Sequence, residues 1–428
     1  MKLWDKGYNT HQKIEKFTVG NDRELDLKLA KHDVHASKAH AIMLAEIGIL
    51  KNKELIEIIG GLEKIEADIS SGRFVIENEF EDVHSKIEFE LIKEIGESAK
   101  KIHTARSRND QVLVDLHLYA KVEIKEIKHL IKKLFDTLIE LSEEYKNTLM
   151  PGYTHLQIAM PSSFGLWFSA YAESLIDDVI LLNAAMKIAD QNPLGSAAGY
   201  GSSFPIDREL TTELLNFEMM KYNSIAAQMS RGKLEKSLAF ALAAIASTLS
   251  KFAMDVCLYN SQNFDFLSFP NELTTGSSIM PHKQNPDVFE LLRASFNKMQ
   301  GLPNQITLIL SNLPSGYHRD FQLLKEELLS GIESMKNNLE IFNFMISQIK
   351  VNPDILSNPI YENIYSVEEV NKLVIKELSF REAYKEVAKR IENGNFKPDK
   401  NIKHTHAGSI GNLCIEEIRN KFEKHFKS

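Results

Sequence analysis

Over residues 122–146 the apolar side chains Ile127, Leu130, Ile131, Leu134, Leu138 and Leu141 recur every three or four positions, with lysine and glutamate between them. This period lays one apolar face along a helix, and Pro151-Gly152 just beyond marks its exit. Residues 164–188, 233–257 and 287–310 repeat the pattern, while alternating, strand-like runs are scarce. The chain reads as all-α, built around long central helices. Residues 238–249 are apolar almost all round and rich in alanine, which suits a helix packed on several sides in a bundle or an oligomer. The apolar stretch 237–250, between Lys236 and Lys251, is too short to span a bilayer, which takes about 20 apolar residues, so no membrane partner is expected.

The same pattern divides the chain into three blocks. Residues 1–107 hold shorter amphipathic helices, 108–350 the long bundle helices, and 351–428 a small helical domain broken by Pro353, Pro359, Gly394 and Pro398. Lysine and arginine number 51 against 59 aspartates and glutamates, a formal charge of −8 with no long basic run, so a nucleic-acid partner is not expected. Cys257 and Cys414 lack metal-ligand spacing, which gives a disulfide framework or a zinc site no support and fits a reducing, cytoplasmic setting. The first residues carry no apolar signal segment.

Polar chemistry gathers at four helix ends. His103-Thr104-Ala105-Arg106-Ser107-Arg108-Asn109-Asp110 precedes a helix expected from about Asp110, and arginines beside helix N-terminal amides suit an anion. Thr154 and His155 fall at a turn before a helix led by Pro161, where an imidazole can titrate near neutrality. The loop Gly276-Ser277-Ser278-Ile279-Met280-Pro281-His282-Lys283-Gln284-Asn285-Pro286 sets a hydroxyl, an ammonium and an amide ahead of a helix starting near residue 286, with Asp287 and Glu290 in its first turn. The fourth cluster, 314–325, offers Tyr317, Gln322 and Lys325 as donors. The glycine-rich stretch 193–203 follows no strand and has no phosphate-loop lysine, so it reads as a loop between helices. The set is rich in donors for carboxylates and carries no metal cage and no cofactor fingerprint. It suits proton abstraction beside a carboxylate, where positioned donors and a cation must stabilise the doubly charged intermediate and a second group must protonate the leaving atom.

The 276–286 loop resembles the signature of the fumarase and aspartase superfamily. His103 to Val112, Pro151 to Gln157, Asn192 to Gly199 followed by Phe204-Pro205-Ile206-Asp207-Arg208, together with Glu81-Asp82-Val83-His84-Ser85 and residues 313–322, resemble the argininosuccinate lyase family across most of the chain. The resemblance implies a homotetramer with a 20-helix core, active sites built from three subunits, and cleavage of argininosuccinate to arginine and fumarate at the last step of arginine synthesis. It implies Ser277 as base, His155 as the acid-side group oriented by Glu290, and Lys283 with Asn285 stabilising an aci-carboxylate. Ser37, Asn109, Thr154, Tyr317, Gln322 and Lys325 would bind substrate, with Arg108 and His84 lining the site, and no cofactor or metal would be needed. A serine serves as a base only if its alkoxide is stabilised, which assigns that task to Lys283 and the loop amides.

Two departures stand out. His282-Lys283-Gln284 occupies the loop centre where the family has Gln-Lys-Lys, and a histidine there is more typical of adenylosuccinate lyase. Trp4-Asp5-Lys6-Gly7-Tyr8 replaces Trp-Gly-Gly-Arg-Phe. Adenylosuccinate lyase, a non-catalytic relative of the lens-protein kind and a helical scaffold are the competing expectations.

Overall fold

The helical period extends well past its readable core: the helix expected over 122–146 runs from Arg108 to Glu144, 37 residues, with Asp110 in its first turn. Phe164–Ala189, Lys233–Tyr259 and Leu323–Ile346 are the other long helices. The computed structural model describes residues 11–427, so the departure at Trp4 to Tyr8 lies outside the described residues. Among the described residues strands are confined to four two-stranded ladders, and the fold is all-α in character. The 237–250 stretch belongs to a helix of 27 residues, which by length and composition could cross a membrane, yet 56% of its apolar window is buried inside the protein, as in a core helix.

Two expectations need correction. Pro161 does not lead a helix: it pairs with Pro151 in an antiparallel hairpin, Leu149–Thr154 with Gln157–Ser163, and the helix begins at Phe164. A two-stranded ribbon has only edges, so two prolines cost it no interior hydrogen bond. The 287–310 segment is two helices, Asp287–Met299 and Leu302–Ile309. Pro303 cannot sit inside a helix without clashing with the carbonyl four residues back, and it falls instead in the first turn of the second one. Leu302 then packs onto Gly331, where a Cβ would come within 2.7 Å of its Cδ2.

By packing, the chain forms two units, each drawn from three segments, a grouping that cuts across the linear blocks. The first takes the residues through Ile127, then 181–243 and 299–334. Its main core gathers Val34, Leu44, Ile58, Leu62, Ile87 and Leu91 from the helices Ala30–Glu46, Asn52–Ser70 and Val83–Ile95, with Phe80 from the loop before the last of them. The second takes 128–180, 244–298 and 335–428. In its core Tyr171 stacks on Phe252 at 4.1 Å, and Trp167 packs edge-on to Phe252 and Tyr259. Asp255 accepts from the Trp167 indole at 3.1 Å and the Tyr171 hydroxyl at 2.6 Å, which satisfies the polar ends of both rings.

Candidate active site

The first unit holds a cavity of about 250 Å³ lined by Asp22, Asp26, Glu81, Asp82, His84, Arg108, Asn109, Val112, Arg231, Tyr317, Arg319, Gln322 and Lys325. Six of the eight residues expected to bind substrate stand there: His84, Arg108, Asn109, Tyr317, Gln322 and Lys325. Ser37 does not. It is 1% exposed, donates to Asp33 at 3.2 Å and accepts from Arg106 at 2.9 Å, so its hydroxyl is committed inside the protein. Thr154 belongs to the second unit.

Local chemistry explains each placement. Asp82 caps the Val83–Ile95 helix, accepting from the Ser85 backbone at 2.8 Å and its hydroxyl at 2.6 Å, and so sets His84 in the first turn. Asp110 accepts from the backbone N–H groups of Ser107, Gly195 and Ala197 at 2.9, 3.1 and 2.9 Å. It thereby ties the arginine motif to the glycine-rich loop. Gly195, at φ +86°, is needed there because a Cβ would lie 2.8 Å from the Arg208 side chain. Arg231 and Glu235, both nearly inaccessible, pair at 2.8 Å, and Arg231 donates to the Phe321 carbonyl at 2.8 Å. This fixes the turn that carries Arg319 and Gln322.

Four carboxylates and four permanent cations line the cavity, and they are largely paired. Lys325 lies 2.7 Å from Asp26 and 2.8 Å from Asp22; burial alone would lower its pKa, but the two carboxylates outweigh it and raise it. Burial first, with Asp26 adding to it, pushes Asp22 up to about 6 against the pull of Lys325. Arg108 reaches Glu81 at 3.2 Å and Asp82 at 3.1 Å, and Arg319 reaches Glu81 at 2.7 Å. Gln322 donates to the carbonyls of Thr18 and Val19 at 2.9 and 3.0 Å. Such a lining suits a small molecule bearing both carboxylates and a cation.

Sequence reasoning did not assign Asp22, Asp26, Arg231 or Arg319. The signal was present: Asp22 and Asp26 are four apart, hence on one helix face, and Asp115 interrupts the apolar run Leu113-Val114-Leu116. Asp33, His84 and Asp115 bring one nitrogen and two carboxylate oxygens within 4.8 Å of one another, all buried. His84 is hydrogen-bonded directly to Asp33, which leaves no room for an ion between those two atoms.

The residues expected to do chemistry all belong to the second unit. Thr275-Gly276 pairs antiparallel with Gln284-Asn285, so that residues 277–283 form the loop they close. The Ser277 Oγ accepts from the backbone N–H groups of Met280 at 3.2 Å and Ile279 at 3.4 Å. Two backbone donors aimed at this oxygen would stabilise it in the charged form that the expected base role requires. Asn285 donates to Gly276 O at 3.4 Å, and Lys283 is exposed. Asp287 accepts from Thr275, which pins the loop to the start of the following helix. His155 and Leu156 occupy the two central positions of the 149–163 hairpin turn with φ +54° and +57°. A two-residue turn of this handedness favours glycine or asparagine, so strain is accepted to put an imidazole at an exposed tip. Glu290 is also exposed, and within the described chain no hydrogen bond joins it to His155.

A family profile described as Lyase matches residues 9–301. Argininosuccinate lyases of Bacteroides fragilis and Bacteroides thetaiotaomicron are each 56% identical over 97% of this chain and 93% and 94% of their own. That of Thermotoga neapolitana is 41% identical over 91% of this chain and 98% of its own. Among solved structures, an EDDS lyase in complex with formate aligns with a TM-score of 0.74 at 20% identity over 96% of this chain and 89% of that one. A Brucella melitensis fumarate lyase of delta-crystallin type, bound to cobalt, aligns with a TM-score of 0.74 at 16% identity over 95% and 91%. At those identities the two structures speak to the fold alone. With its 276–286 loop, charged cavity and near full-length identity to these relatives, the chain belongs to the argininosuccinate lyase family of the fumarase and aspartase superfamily.

Proposed function

We propose that this chain cleaves argininosuccinate to arginine and fumarate, the last step of arginine synthesis, as a cytoplasmic homotetramer that needs no cofactor. The Ser277 Oγ carries the reading, because two backbone N–H groups already converge on it. Deprotonated, it removes the Cβ proton, from the carbon next to the one that bears the leaving nitrogen, and the electron pair passes into the carboxylate attached to that Cβ. Lys283 and Asn285 hold that doubly charged aci-carboxylate. Its collapse breaks the carbon–nitrogen bond, and His155 gives the leaving guanidino nitrogen a proton, with Glu290 orienting the imidazole. The substrate is held by Arg108, Asn109, Tyr317, Gln322, Lys325, His84 and Thr154, with Ser37 acting from behind the cavity wall.

Assembly is part of this reading. His155, Thr154 and Glu290 are exposed and have no partner for their roles in the described chain, as expected if each site is completed by other subunits. The long helices present Phe240, Met254, Ile180 and Leu181 to solvent, and the Asp287–Met299 helix presents Leu291, apolar surface that suits a shared helical core, of 20 helices in a tetramer. The 1–107, 108–350 and 351–428 blocks are the domains of that assembly.

The test is release of fumarate, followed in the ultraviolet, on mixing with argininosuccinate and separately with adenylosuccinate. Argininosuccinate alone is expected to react, and the His155→Asn variant is expected to lose about 10²–10⁴-fold in kcat. Turnover of adenylosuccinate only would move the assignment to the family that His282 suggests. No turnover of either would favour a non-catalytic relative.

A further inference from the structure

Behind His84, three acidic residues approach from three other helices: Asp26, Asp33 and Asp115. His84 Nδ1 is hydrogen-bonded to Asp33 Oδ2, so Nδ1 carries the hydrogen and Nε2 is the nitrogen left for the cavity. The other oxygen of Asp33 accepts from Ser37, which is itself held by Arg106. Asp26 is committed to Lys325 at 2.7 Å and to the Val83 N–H at 3.2 Å.

Asp115 has no such partner. It is 0% exposed, and no N–H or O–H donor reaches either of its oxygens. Its neighbours are His84 Nδ1, at 3.8 Å and already donated to Asp33, and the Asp33 carboxylate itself. Two buried carboxylates stand against each other only when one of them keeps a proton. The proton then satisfies both groups, as an O–H donated from one carboxyl to the other. The charges facing the pair are Asp26, Asp82, Glu88, Arg106 and Lys325, which include one carboxylate paired to a lysine and one arginine turned toward Asp33 through Ser37.

We propose that Asp115 is a positioning residue for the cavity: it stays protonated, donates its O–H to Asp33, and leaves the pair one negative charge that holds His84 with its hydrogen on Nδ1 and its Nε2 toward the substrate. The geometry agrees with the electrostatics. Burial first, then Asp33 and Asp26, holds the Asp115 carboxyl well above the usual carboxylate range, whereas at Asp33 the opposing burial is outweighed by His84 and Arg106. The functional weight of this arrangement rests on the proposed substrate site, but its test does not.

The full-length protein, labelled with ¹⁵N-histidine and with the His84 signals identified by their loss in His84→Gln, is titrated by NMR. Asp115→Leu removes the O–H that competes for Asp33, and the His84 midpoint is expected to rise by about one unit. Asp115→Asn restores a donor and is expected to bring the midpoint back to within about half a unit of wild type. If Asp115 were ionised, both variants would remove a negative charge and lower the midpoint together, which overturns the proposal. Should the variants not fold, the infrared spectrum of ¹³C-aspartate-labelled wild type decides: a protonated-carboxyl band at neutral pH is expected, and its absence overturns the proposal. Neither readout uses a substrate, so a wild-type enzyme silent toward argininosuccinate sinks the functional reading and leaves this one standing.

Discussion

Lys325 in the cavity is 4% exposed with Asp22 and Asp26 both within 2.8 Å, whereas Lys283 in the 276–286 loop is exposed and has no carboxylate paired with it among the described residues. The same residue type does two jobs. Inside the first unit an ammonium is expensive to bury, and the carboxylates that make burial tolerable also fix its position. On the loop it stays exposed, which suits the role proposed for it of meeting a substrate carboxylate. The groups proposed to bind substrate are thus pre-set by the fold of the first unit, while those proposed to react are held mainly by their own loop and turn.

The comparison can be broken most sharply at Ser277. Ser277→Ala is expected to lower kcat by about 10³-fold or more with KM changed less than about threefold, measured as fumarate release; retention of substantial activity would remove Ser277 from the mechanism. On the cavity side, Lys325→Met leaves two buried carboxylates without their cation. A loss of about 3–5 kcal/mol in urea-induced unfolding is expected, and a change below about 1 kcal/mol would mean that the pair is not what fixes the wall.

Asp178 extends the comparison to a carboxyl in the interior of the second unit. It is buried, one of its oxygens has no partner, and burial first raises its pKa to about 6 from 3.8. The folded chain therefore keeps this proton over a range where the unfolded chain has released it, so the contribution of Asp178 to stability falls as pH rises from about 4 to about 6. Asp178→Asn is expected to remove that decline and to add about 1–3 kcal/mol at neutral pH, read from unfolding midpoints across the window. The smallest effect belongs to Lys283→Met, expected to leave unfolding within about 0.5 kcal/mol of wild type while turnover falls. A large stability loss there would erase the contrast with Lys325.

The helices were legible because a period of three to four acts over neighbouring residues, and the 276–286 loop because its cap, proline and acidic first turn are local too. The 149–163 hairpin was misread, since a proline after a turn also marks a helix start, and only pairing with Pro151 tells the two apart. Ser37 was expected in the substrate site and lies behind it. Asp22 and Asp26 went unassigned because their partner Lys325 is 299 residues from Asp26 along the chain.

What the chain determined by itself is the set of long helices, the lyase motifs and the loop that presents Ser277, all of which follow from short-range spacing and residue chemistry. Tertiary structure decided which charges face one another. It placed Lys325 between two carboxylates, seated Asp33 behind His84 and left Asp115 without a donor, because burial and pairing set the state of an ionisable group and neither is a property of sequence distance.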